Sequence, residues 1–137
     1  MELDYLLLGI ALSLGINFGL LYTRKYKWNS DALRWSLTVI LLILGFLGLL
    51  GIIENDSPNF SYFSWCLITP FIYNVFDWTF KKISIKRNKR DFYLWLQGSN
   101  EIDDTIDGKN PHVNSIDKLF SLILLIIIIS LPLMGMT

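Results

Sequence analysis

Lys81–Leu96 reads KKISIKRNKRDFYLWL: six of the chain's twelve basic residues fall within ten positions, and the run then turns aromatic. Such a stretch is a nucleic-acid arm beside a soluble domain, but a topological anchor beside a hydrophobic span. Its surroundings decide which. More than half of the 137 residues are hydrophobic and the net charge is zero. A soluble domain of this size has too much surface for its volume to hide so much apolar side chain, so the composition points to a bilayer.

Working outward from the basic run, four segments read as membrane spans. Residues 5–22 and 36–53 are each eighteen residues long without a charged side chain, about 27 Å of helix against a hydrocarbon core of about 30 Å. Residues 60–80 are aromatic-rich, with Asn74 and Asp77 in their second half. Residues 118–135 are almost uniformly aliphatic, so this last span is expected to touch lipid over most of its surface, around a compact core of the first three. Glu2 and Asp4 stand where a signal peptide carries positive charge, so the first span is expected to be retained.

The connections sort the charges. Residues 23–35 hold Arg24, Lys25, Lys27 and Arg34, and residues 81–117 hold seven more, with Lys118 opening the last span; the outer turn, 54–59, and both ends hold none. Positively charged flanks stay on the cytoplasmic side. The expected fold is therefore all-α: one integral membrane domain, a four-helix bundle with both termini outside and a 37-residue cytoplasmic connection before the last helix, in the cytoplasmic membrane. On this reading Lys81, Lys82, Lys86, Arg87, Lys89, Arg90 and Trp95 form an interfacial anchor attracted to anionic headgroups, and Phe92–Leu96 an interfacial segment. No nucleic-acid partner is expected.

Helices in lipid associate through small residues and scattered polar contacts. In the first span Gly9, Ser13 and Asn17 recur every four residues on one side, and Ala11, Gly15 and Gly19 on another; Gly45, Gly48 and Gly51 repeat every three in the second. These are the expected packing positions.

The third span is the chemically distinct one. Cys66, Thr69, Pro70, Tyr73 and Asp77 share a stripe, with Asn74 at its margin. Pro70, Tyr73, Asn74 and Asp77 are the candidates for partner recognition, because an ionisable group in a membrane is a functional hypothesis by default. The competing reading pairs Asp77 with Lys81, four residues on. Pro70 is expected to bend the helix and leave the Cys66 carbonyl open to a partner.

In the third connection, Asp107-Gly108 and Asn110-Pro111 are turn signals, Ser115 is a candidate cap for the last helix, and His112 reads as a surface residue. The stretch NEIDDTIDGKNPH lacks the alternating acids of a calcium hand, and a single cysteine and a single histidine exclude clustered metal ligands. No metal, cofactor or catalytic residue is expected, and the chain reads as non-enzymatic.

From Pro70 onward the chain resembles the small inner-membrane immunity proteins that protect bacteria from pore-forming colicins. The resemblance rests on a proline with an acid seven positions later (Pro70, Asp77), an Asp-Phe-aromatic element after a basic stretch (Asp91, Phe92, Tyr93), and a lysine opening a last span with a proline near its outer end (Lys118, Pro132). It implies helix contacts within the bilayer that block a pore-forming toxin. The interval from Asp77 to Asp91 is longer than the family's, and EIDDTID has no counterpart in it. The alternatives are an accessory subunit of a membrane transport or secretion complex, a small transporter, or a scaffold whose inner connection binds a cytosolic or lipid partner. Against a dual-topology exporter stands the complete charge bias.

Overall fold

The structure, a computed structural model, describes residues 4–103, 105 and 108–137. Among these there are four helices and no strand: α1 (Tyr5–Tyr22), α2 (Asp31–Leu49), α3 (Phe60–Asn88) and α4 (Ser115–Met134). By length and composition α1, α2 and α4 are each able to cross a membrane. Asp104 and Asp107, and with Asp107 half of one expected turn, lie outside the described residues.

Local chemistry sets the boundaries. The Asp4 carboxylate accepts the backbone N–H groups of Leu6 and Leu7 and starts α1. Residue 36 is not the start of α2: Ser30 caps it by accepting from Leu33 N–H, and the helix begins at Asp31. It ends before residue 53 because Gly51 takes a left-handed φ of 72°. Gly51 N–H returns to the Gly48 carbonyl and Ile52 N–H to that of Leu47, a Schellman ending. Gly51 is thus a helix stop and not a packing position.

Span three also departs from expectation, running eight residues past Phe80. Lys and Arg propagate a helix well, and no glycine interrupts the chain until Gly98. The helix stops where Lys89 adopts φ 61°. Ser115 does not cap α4. Asn114 does, accepting from Ile116 and Asp117 N–H while the Asp117 carboxylate accepts from Asn114 N–H.

The packing order differs from a core of the first three helices. Helix α3 is central and touches all the others; α1 also meets α4, whereas α2 leans on α3. Of the three apolar helices α4 is the most enclosed, 39% buried against 22% for α2. Its aliphatic run conceals an inward stripe of Asp117, Phe120, Ser121, Leu124, Ile128 and Leu131, at spacings of three and four residues. The core joins Phe120, Leu124, Ile128 and Leu131 to Leu20, Leu21 and Tyr73, and to two residues of the connection, Phe92 and Leu94.

At the end opposite the basic residues, α3 closes onto the last carbonyls of α4, which have no intrahelical donor. Trp65 Nε1 donates to the Leu131 carbonyl at 2.9 Å and Tyr62 OH to that of Pro132 at 3.1 Å.

Candidate functional site

The polar stripe of α3 faces inward. Thr69 hydroxyl donates to the Cys66 carbonyl at 2.9 Å, so the acceptor that Pro70 releases is taken within the helix and is not open to a partner. The same hydroxyl oxygen lies 2.7 Å from Ser13 Oγ and accepts from Asn17 Nδ2 at 3.4 Å. The Gly9, Ser13, Asn17 side of α1 therefore meets α3, and Gly9 lies close against Phe63 and Cys66. On α2, Gly45 and Gly48 admit Ser64 and Ile68 of α3 against its backbone. Gly15 and Gly19 pack on nothing: a Cβ at either meets no atom within 4 Å.

The carboxylate of Asp77 does not pair with Lys81. It accepts from Arg24 Nε at 2.9 Å and from Arg34 Nη2 at 2.6 Å, while Lys81 Nζ sits 3.6 Å from Asp31 at the start of α2. The physical reason is burial. Asp77 is 3% exposed, and a desolvated carboxylate gains most from guanidinium groups that are themselves buried and present two or more donors.

Arg24 is the hub of this end of the bundle. Besides Asp77 it donates to Asp91 at 3.1 Å and to the Phe92 carbonyl at 3.2 Å, and its guanidinium lies 3.6 Å from the centre of the Phe92 ring. Glu101 approaches both Arg24, at 3.8 Å, and Lys25, at 3.5 Å. Burial alone would lower the Arg24 pKa, but the carboxylates of Asp77, Asp91 and Glu101 outweigh it and hold the pKa above its ordinary value. Three cations (Arg24, Lys25, Arg34) face three carboxylates (Asp77, Asp91, Glu101), so the cluster is neutral.

This cluster fastens the connection to the helices. The expectation of an interfacial segment at Phe92–Leu96 does not hold for two of its residues: Phe92 and Leu94 are fully buried in the bundle, and the Phe92 ring stands edge-on to Phe120. Trp95 N–H donates to Ser121 Oγ at 2.8 Å, Leu94 N–H to Glu101 at 3.2 Å, and Tyr22 OH to the Gln97 carbonyl at 2.8 Å. Arg90 forks onto both oxygens of Asp117, at 3.1 and 2.8 Å, so it is a structural pair and not a free anchor. Trp95 is half-buried with the Lys118 ammonium 4.9 Å from its ring centre. Lys82, Lys86, Arg87 and Lys89 are exposed. His112 is exposed, its ring against Tyr93 and its Nε2 3.1 Å from the Glu101 carbonyl.

The four proposed recognition residues, Pro70, Tyr73, Asn74 and Asp77, are all buried within the bundle, so a partner meeting the outside of this structure touches none of them. Sequence reasoning passed over Arg24 and Arg34 as topology markers. The available signal was their position at the adjoining ends of the first two apolar runs, level with the acid in the third segment. No family model matches the chain, and no curated protein and no solved structure matches it either.

Proposed function

We propose that the chain is a non-enzymatic protein of the cytoplasmic membrane that crosses the bilayer four times, with both termini outside, and acts by helix–helix recognition; neutralising a pore-forming toxin is the most concrete form of that action. The crossing of α3 is supported by the inward turn of its polar stripe, since Asp77 meets Arg24 and Arg34 inside the bundle and leaves the lipid side of residues 60–80 mainly apolar.

The observation that carries the reading is on α1. Ala11, Gly15 and Gly19 are exposed along the side opposite the one that meets α3, with open space at both glycines. A small-residue stripe at four-residue spacing lets a second helix approach closely in lipid. Of the inward polar groups, Ser13, Thr69 and Asp77 already have partners within the chain. A transporter reading gains nothing from Asp77, which two arginines hold.

The test is survival and membrane potential of sensitive cells that express the chain and are challenged with a channel-forming toxin encoded beside its gene. Protection is expected from the native chain and from Ile40→Leu/Ile43→Leu, which alters an exposed part of α2 away from the stripe, but not from the double variant Gly15→Leu/Gly19→Leu, which fills the outward stripe. Failure to neutralise any such toxin removes the immunity reading. Equal protection by the double variant removes the stripe as the recognition surface.

A further inference from the structure

The basic run is not one surface. Lys81 pairs with Asp31, Arg90 with Asp117, and Arg87 projects elsewhere around the helix. What remains is a single stripe on α3, Trp78, Lys82 and Ile85, spaced four and three residues apart, with Lys86 beside it and Lys89 just past the last helical residue. Trp78 is 47% and Ile85 43% exposed, and the three lysines are exposed. The Lys82 ammonium lies over the Trp78 ring, 5.5 Å from its centre. Among the described residues none of these lysines reaches a carboxylate.

The setting of the stripe gives it a direction. Helix α2 begins at Asp31, level with Lys81. Beyond that level α3 continues for seven residues, about 10 Å, and Lys82, Ile83, Ile85, Lys86 and Arg87 along it are exposed. Its other side is covered by the connection, where Ser84 Oγ donates to the Arg90 carbonyl at 2.9 Å. The 29 residues of α3 span about 43 Å against a hydrocarbon core of about 30 Å, so the excess stands in the headgroup layer. An indole at the boundary and three cations above it fit a ligand with an apolar tail and a negative head.

We infer that Trp78, Lys82, Lys86 and Lys89 form a binding site for the phosphate of an acidic phospholipid in the cytoplasmic leaflet. The inference rests on the membrane-crossing reading above and adds a discrete site to it. Lys82 and Lys86 reach the phosphate from one side of one helix and Lys89 adds its charge just past the end of that helix, while Trp78, about one turn deeper than Lys82, rests against the upper acyl chains. The complementarity is of charge and of depth together, which separates the site from the general attraction of a basic flank.

The experiment uses the full chain, with phosphatidylglycerol as the probe and phosphatidylcholine as the neutral reference. Lipid retained from mixed micelles is counted by native mass spectrometry for the native chain, for Lys82→Gln/Lys86→Gln/Lys89→Gln, and for Lys27→Gln/Arg87→Gln/Lys109→Gln, which removes equal charge elsewhere. Loss of three lysines near the surface is expected to weaken phosphatidylglycerol retention on the order of a hundredfold, whereas the control triple stays within a few-fold of native. Helix content by circular dichroism is expected to be unchanged, because none of the replaced lysines has a carboxylate partner. Equal loss in both triples, or loss in neither, overturns the site. Alkaline carbonate extraction reports separately on the membrane reading: release of the native chain from membranes overturns that reading and the site with it, whereas a retained chain without lipid selectivity overturns the site alone.

Discussion

Asp77 of α3 accepts hydrogen bonds from Arg24 and Arg34 at once, and so ties the ends of α1 and α2 to the central helix. All three side chains are nearly sealed from solvent, with exposures of 2, 5 and 7% for Arg24, Asp77 and Arg34. Removing one partner of a buried pair leaves the others charged and uncompensated. Asp77→Asn is expected to cost about 3–5 kcal/mol, measured by unfolding in mixed micelles of a mild detergent and sodium dodecyl sulfate. The double variant Asp77→Leu/Arg34→Leu, which removes one charge of each sign, is expected to be milder than Asp77→Leu alone. A double variant worse than the single would contradict the pairing.

The packing of residues 91–99 predicts that this connection is part of the stable fold. Phe92→Ala is expected to cost about 3–5 kcal/mol and Leu94→Ala about 2–5 kcal/mol, whereas Gln97→Ala, whose side chain is exposed, costs about 0.5 kcal/mol or less. Limited proteolysis offers a second readout. Both core variants should be cut faster than native within residues 91–103; an unchanged cleavage rate would mean that the segment is not anchored through these two side chains.

Glycines of α1 and α2 are expected to behave differently on methylation. A Cβ at Gly45 would lie 2.6 Å from Ile68 Cγ1 and from the Ser64 carbonyl, and one at Gly48 would collide with Ser64 Oγ. Gly45→Ala is accordingly expected to cost about 1–3 kcal/mol through overpacking. Gly15→Ala and Gly19→Ala enter open space and are expected to be neutral or to stabilise by up to about 1 kcal/mol, the difference in helix propensity. Thermal unfolding in detergent compares the series, and a destabilised Gly15→Ala would show that the outward stripe is already occupied.

The α3–α4 clasp at the opposite end supplies a smaller effect. Trp65→Phe and Tyr62→Phe each delete one donor to an end carbonyl of α4 and are each expected to cost about 0.5–1.5 kcal/mol. Faster amide hydrogen exchange confined to residues 128–134 would locate the loss. Uniform acceleration along the whole chain would instead make the clasp a global determinant.

What the sequence by itself determined was the helical architecture and the segregation of charge: long apolar runs in 5–22, 36–53 and 118–135 leave few other ways to bury their surface, and all twelve basic residues fall in two connections or at the start of the last helix. Where it misjudged an edge, the cause was local. Ser30 and Asn114 supplied caps, and the lysine-rich run after Phe80 continued the helix that its charge had suggested would end. Only the tertiary structure decided the partners. Asp77 had a lysine one turn away in sequence and chose two arginines 53 and 43 positions distant, because a buried charge is stabilised by other buried donors and not by the nearest one along the chain. For the same reason Phe92 and Leu94, read as interfacial from their neighbours, lie in the core: Arg24 and Asp117 draw the connection back onto the helices, and no periodicity within residues 91–99 records a contact made by residues so far away.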